Sequence, residues 1–405
     1  MIRIEDYIPI VGEATVEDLG LLAERLRGKT ILNINSTAVG GGVAEILARM
    51  IPLLDQLGVK AEWDVIKGDE KFFVTTKKFH NGLHGVPVDI AAEEYDHFLE
   101  VNRYNAEQFR FGDIVFVHDP QPVALIEKRS TLGKNWLWRC HIDFSRPDPE
   151  IWNFLKQFIV RYDSAVFSAP AFSQKLPIPQ VLIAPSIDPL SDKNKELDEK
   201  TIDEVFSRFG IDRSRPVVTQ ISRFDYLKDP LGVIQAYKLA KANVDMQLVL
   251  AGGGATDDPE GPLIMEQVKA EAEKDQDIFA LFLPPASDIE INALQRGSTV
   301  ILQKSLKEGF GLTVSESLWK AKPTIAGAVG GIPLQIAHKY SGILTHSIDG
   351  TAQWIKQLIS APEYARRLGL NGKEHVRNNF LMTRHIKDYL LLFLSLFHDG
   401  DVVSL

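Results

Sequence analysis

The chain has one cysteine, Cys140, among 405 residues. No intrachain disulfide can form, a cysteine-built metal site is excluded, and a reducing, cytoplasmic setting is the natural expectation. Positive charge is also short. Forty-five Lys and Arg face 54 Asp and Glu, a net charge of −9, which argues against nonspecific binding to nucleic acid or acidic membranes. No apolar run reaches the ~18–20 residues that span a bilayer. LLLFLSLF (390–397) is too short to do so and reads as a buried helix face. The start, MIRIEDYIPIVGEATVEDL, lacks the cationic-then-apolar order of a secretion signal. There is no HExxH-type zinc spacing and no GxGxxG fingerprint. No low-complexity tract and no internal repeat of ~20–50 residues appears. A metal held by protein ligands is therefore not expected.

What is present is ordinary globular composition, 45% hydrophobic and 24% charged, arranged as short apolar runs alternating with longer amphipathic stretches. TILNINST (30–37), VKAEWDVIKG, DIVFVHDP (113–120), WLWRCHID (136–143), SAVFSAP (164–170) and VLIAPS (181–186) read as strands. A charge-dense tract from Pro185 to about Arg215 follows. The alternation then restarts with PVVTQIS (216–222), MQLVLAGGG (246–254), IFALFL (278–283), TVILQKS (299–305) and PTIAGAVGG (323–331). Helices close the chain from about Ala352 to Leu396. Such βα alternation predicts parallel sheets covered on both faces. The expected class is α/β, with two doubly wound Rossmann-like domains whose sheets face a central cleft. The expected domains are 1–186, with a C-terminal helix 381–405 packing back on it, and 187–380.

Ligands of doubly wound sheets collect at the carboxyl ends of strands, and polar clusters recur there. The densest is KEGFGLTVSESLWK. Glu308 precedes a turn, Gly309-Phe310-Gly311, and a helix starts at Leu312-Thr313. Backbone N–H groups at a helix N-terminus suit an anion. Glu308 and Glu316 would accept hydrogen bonds from hydroxylated groups on either side of a phosphate, the shape of a nucleoside diphosphate sugar. An ordinary N-terminal helix carboxylate is the alternative, and it explains Glu316, well inside the helix, poorly. Arg223 and Lys228 follow a strand within one loop and could neutralise a diphosphate; the alternative is surface pairing with Asp225 and Asp229. Gly41 and Gly42, in the run Gly40-Gly41-Gly42, open a helix after the first strand and could cradle phosphate or merely turn the chain. The turn Gly252-Gly253-Gly254 with Asp257-Asp258 is assigned no role. Gly330-Gly331 could offer backbone contacts to a substrate. His141 could bond a sugar hydroxyl, or be a structural histidine paired with Asp143. Glu45, His118, Asp119, Gln121, Arg139 and Asp143 are the candidates for an acceptor.

Together these residues resemble the retaining glycosyltransferases of the GT-B fold, family 4. Arg223 and Lys228 match that family's diphosphate pair. Glu308 and Glu316, with GFG between, match its paired glutamates. The resemblance implies that Glu308 and the backbone of 309–311 hold the donor sugar, that Glu316 holds the ribose, and that His141 is the first-domain histidine near that sugar. NINSTAVGGGVAEIL, VHDPQPVALI, WLWRCHID and APSIDPLS resemble trehalose synthases, which move glucose from a nucleotide-glucose to glucose. They equally resemble the retaining trehalose phosphorylases. The compact length favours the synthases. The resemblance implies a UDP-glucose- or ADP-glucose-like donor, no tightly bound cofactor, and at most a stimulatory role for magnesium. Partners are small-molecule sugars and nucleotide sugars, and a homodimer is compatible with it. GGGATDDPEG and Asp229, where glycine is common, depart from the family pattern. A base pocket near Leu283, Pro284 and Pro285 carries no readable code.

Overall fold

The computed structural model describes residues 2–38, 41–143, 145–253, 261–284 and 286–397. Gly40, the stretch 254–260 with Asp257 and Asp258, and Pro285 lie outside the described residues. The chain divides into two compact units, Met1–Ser186 with Met382–Leu405, and Ile187–Leu381.

The first unit holds six strands: β1 (Thr30–Asn35), β2 (Lys60–Val65), β3 (Ile114–His118), β4 (Asn135–Cys140), β5 (Ser164–Phe167) and β6 (Gln180–Leu182). They form one parallel sheet in the order β2-β1-β3-β4-β5-β6. Every residue of β3 and β5 is buried, as expected where helices cover both faces. The core is rich in rings: Phe72, Phe79 and Phe98 pack together, and Trp136 and Trp138 are buried. The helix Met382–Ser395 belongs to this unit, and its Tyr389 and Phe393 rings lie 5.2 and 5.9 Å from Phe116. LLLFLSLF thus contributes buried Leu390, Leu392, Phe393 and Leu394.

The second unit holds β7 (Val217–Ile221), β8 (Gln247–Gly252), β9 (Ile278–Phe282), β10 (Val300–Gln303), β11 (Thr324–Gly327) and β12 (Ile343–Thr345). Its parallel sheet runs β12-β11-β10-β7-β8-β9, the doubly wound order. Alternate residues of β8 show why both faces are covered. Leu248 and Leu250 join one apolar cluster with the helices Pro230–Lys241 and Ile348–Ser360. Val249 and Ala251 join another with Glu199–Arg208 and Asp288–Gly297.

Each sheet has one point where strand order reverses, between β1 and β3 and between β7 and β10. Loops leave those strands in opposite directions there, and the carboxyl ends open a crevice. Asn35 and His118 end the first pair; Ile221 and Gln303 end the second. Among the described residues, no helix is long and apolar enough to cross a membrane.

Candidate active site

In the second unit, the loop after β7 and the loop after β10 meet. Lys228 Nζ lies 2.6 Å from Glu308 Oε2, both side chains being largely buried. Ser305 Oγ donates to the same oxygen at 3.1 Å. A buried glutamine sets this geometry. Gln220, within β7, donates from Nε2 to Lys228 O at 2.9 Å and accepts at Oε1 from Lys304 N at 2.9 Å. Lys304 Nζ pairs with Asp229, which adopts a left-handed conformation (φ 49°) and caps the helix Pro230–Lys241 through Gly232 N. Glycine would take that conformation most readily. Here the ion pair and the cap hold an aspartate in it. Arg223 keeps a half-exposed side chain beside Asp225, at 3.3 Å. Arg223 thus pairs with a buried aspartate rather than across an open surface, and Lys228 turns to Glu308 rather than to Asp229.

The turn Gly309-Phe310-Gly311 follows. Gly311 has φ 82°, and a Cβ there would stand 3.0 Å from Glu308 Cγ. It precedes the helix Leu312–Trp319, whose N-terminus receives no side-chain cap. Gln335 Nε2 donates to Phe310 O and its Oε1 accepts from Ser315 Oγ. A Cβ on Gly331 would stand 2.7 Å from Gly309 O, so the backbones touch there. Thr313 Oγ1 donates to Gln303 Oε1 at 2.9 Å. Glu316 lies on the buried side of this helix, with its side chain 3% exposed and Oε1 3.8 Å from Lys193 Nζ. Lys320 Nζ donates to Asn194 Oδ1 and to Glu316 O, and burial drives the Lys320 ammonium down. Lys193, Asn194, Gln220, Lys304, Ser305 and Gln335 carried no motif by which they could be singled out beforehand.

In the first unit, β4 ends at Cys140, so His141 and Asp143 sit in the loop beyond it rather than at the strand end. Asp143 accepts from Ser145 N and Oγ, not from His141. His141 meets His118 instead, Nε2 to Nδ1 at 3.2 Å, and its N–H donates to Asp119 Oδ1 at 2.7 Å. Asp119 is left-handed (φ 67°) and its carboxyl is pushed up to about 6 by burial. His118 is pushed down to about 3, chiefly by burial and then by Arg139.

Arg139 departs from expectation. It is fully buried, donates to Ile183 O at 2.9 Å, and its guanidinium lies over the Tyr389 ring. The protein's own groups hold the guanidinium there, with Nη1 left without a hydrogen bond among the described residues. Gln121 is half-buried, and its carbonyl accepts from Asn102. Gly41 and Gly42 form the exposed first residues of the helix Gly41–Gln56, one turn before Glu45, also exposed. Among the described residues no cluster of three or more His, Cys, Asp or Glu could hold a metal.

Two doubly wound units, one carrying a cation pair and glutamate at its switch point, define a glycosyltransferase of the GT-B class. Solved structures of that class share this fold. A sucrose-phosphate synthase from Thermosynechococcus elongatus aligns at a TM-score of 0.71 and 16% identity, over 91% of this chain and 99% of that one. A UDP-forming α,α-trehalose-phosphate synthase from Burkholderia xenovorans, in complex with glucose-6-phosphate, aligns at 0.73 and 12%, over 90% and 99%. Residues 33–174 match the family model "Trehalose synthase, N-terminal domain", and residues 201–375 match "Glycosyl transferases group 1". The chain is 42% identical to the trehalose synthase of Pyrococcus horikoshii, over 97% of this chain and 96% of that protein. It is 44% identical to that of Rubrobacter xylanophilus, over 96% of each. The chain belongs to the trehalose synthase family.

Proposed function

We propose that this enzyme is a retaining glucosyltransferase that moves glucose from a nucleoside diphosphate glucose to free glucose, reversibly, giving trehalose. The observation that carries this reading is end-to-end identity above 40% with trehalose synthases. The Lys228–Glu308 contact gives it a chemical form. In this reading Lys228 and Arg223 take the diphosphate with the Leu312 and Thr313 amides, and Gly41 and Gly42 are assigned to phosphate as a helix-opening turn of the first unit. Glu308 and the backbone of 309–311 take the donor sugar hydroxyls, and Glu316 the ribose. His141 lies beside the donor sugar. Glu45, Asp119, Gln121 and Asp143 serve the acceptor side, and His118, buried with both ring nitrogens bonded, acts on it only through His141.

The bond from the sugar's anomeric carbon to the diphosphate oxygen breaks as the bond to the incoming hydroxyl forms on the same face. The proton of that hydroxyl passes to the departing phosphate oxygen. No carboxylate here is a compelling nucleophile for a double displacement. Lys228 is already poised: a ligand diphosphate competes with Glu308 for its ammonium, and the released glutamate turns to the sugar.

The test is to incubate the protein with glucose and a panel of nucleoside diphosphate glucoses, reading products and anomeric configuration by NMR. Trehalose formation supports the proposal. A second reading, a phosphate-using trehalose phosphorylase, draws on 32% identity to the enzyme of Pleurotus pulmonarius over 86% of this chain, although the chain spans only 54% of that protein. Glucose 1-phosphate released from trehalose and phosphate, with no turnover of any nucleotide donor, would replace the synthase reading with that one.

A further inference from the structure

The interior of the first unit holds a chain of polar side chains: Arg139, His141, His118, Asn33. Arg139 Nε stands 3.4 Å from His141 Nδ1, His141 Nε2 3.2 Å from His118 Nδ1, and His118 Nε2 3.2 Å from Asn33 Oδ1. The two imidazoles are nearly coplanar (21°), with centroids 5.5 Å apart, the spacing of rings that meet edge to edge at their nitrogens. We propose that Arg139 is a positioning residue whose guanidinium sets one proton order along this chain, holding His141 as the neutral Nε2–H tautomer with both ring nitrogens committed.

The order follows from what each group can do. A guanidinium only donates, so His141 Nδ1 must accept. A neutral imidazole carries one donor and one acceptor, so His141 Nε2 donates to His118 Nδ1. His118 Nε2 then donates to Asn33 Oδ1. The far end agrees independently: Asn33 Nδ2 donates to Glu62 O at 3.3 Å, which turns Oδ1 toward His118 as an acceptor. Reversing the order would set acceptor against acceptor at Asn33 and donor against donor at Arg139. Protonating His141 would put a second N–H against Arg139.

The groups around the chain hold it in place. Arg139 is fixed by Ile183 O and the Tyr389 ring. Asp119 holds the His141 backbone N–H. From the helix Met382–Ser395, His385 faces the same group of side chains and is itself held neutral by burial, while burial and then Arg139 push His141 well below the ordinary histidine range. If His141 lies beside the donor sugar, as the proposed function has it, this tautomer bars it from accepting the acceptor's proton. The departing diphosphate is left as the base.

The test reads the histidines directly by long-range 1H–15N correlation on 15N-labelled full-length protein, from about pH 5 to 8, with assignments from His118→Gln and His141→Gln. The expected spectrum shows both histidines as Nε2–H tautomers that do not titrate. Arg139→Met should give His141 mixed tautomers or a titration within that range. It should also add an acid-side inflection to kcat/KM, with kcat falling about tenfold or more and donor KM little changed. Arg139→Lys, which keeps an obligatory donor, should recover part of the wild-type spectrum. His141 found as Nδ1–H, or as an imidazolium across the range, overturns the proposal. So does an Arg139→Met protein with unchanged tautomers and pH profile. Should Arg139→Met fail to fold, the wild-type spectrum still decides. Wild-type protein that shows these tautomers but forms no trehalose would sink the proposed function and leave this chain intact.

Discussion

At the scale of single residues, the Lys228–Glu308 pair is the most consequential contact. Each side chain is largely buried and each is the other's nearest opposite charge. Removing one therefore changes what the other does. Lys228→Ala should lower turnover by ~10²-fold or more, the scale of losing one donor to a developing anion. Glu308→Ala should abolish transfer while leaving nucleoside diphosphate affinity equal or tighter, since Lys228 no longer has a competing carboxylate. Calorimetric titration with nucleoside diphosphate, run beside initial rates, separates the two. A parallel loss of affinity and rate in Glu308→Ala would assign Glu308 to the phosphate site instead of the sugar.

At the scale of elements, the turn Gly309–Gly311 joins a strand end to a helix N-terminus, and Gly311 is its constrained point. A left-handed residue with a side chain costs about 1 kcal/mol or more, and a Cβ at Gly311 would also press on Glu308 Cγ. Gly311→Ala should lose about 1–2 kcal/mol in urea unfolding and lower turnover by displacing Glu308. Unchanged turnover would show that the turn does not position that carboxylate. This turn was legible in sequence because its glycines, its carboxylates and the helix after it follow local rules. The strands were legible because doubly covered strands read as unbroken apolar runs. β12 was not: Ile343–Thr345 is a three-residue edge strand set between Gly342 and His346, with no longer apolar run around it of the kind that marks the equally short β6. Nor was the inward fate of Arg139. An arginine after WLW reads as a strand-end cation until Tyr389 and Ile183, distant in sequence, are seen to hold it. The supports behind Lys228, namely Gln220, Lys304 and Ser305, depend on two loops some eighty residues apart meeting, which no local spacing encodes.

At the scale of the whole molecule, the chain leaves its first unit at Ser186 and returns to it at Met382. The return helix is part of that unit's core. Tyr389 and Phe393 cover Phe116 on β3, Tyr389 underlies Arg139, and Arg384 Nη2 donates to Ala184 O and Pro185 O at 2.8 and 3.1 Å. Without residues 382–405 those carbonyls lose their donor, and Phe116, now fully buried, opens to water. Exposing one large core ring costs on the order of 2–3 kcal/mol, and the apolar burial that Leu390, Leu392 and Phe393 bring to this core goes with the helix. That sum is comparable to the stability of a whole domain. Residues 187–381 carry their own six-stranded sheet and two apolar clusters. Expressed separately, 187–381 should therefore fold, with a cooperative urea transition and dispersed amide resonances, whereas 1–186 should not. Adding the peptide 382–397 to 1–186 should restore a cooperative transition. A fragment 1–186 that unfolds cooperatively by itself, with a midpoint unmoved by the peptide, would show that the returning helix decorates the first unit without completing its core.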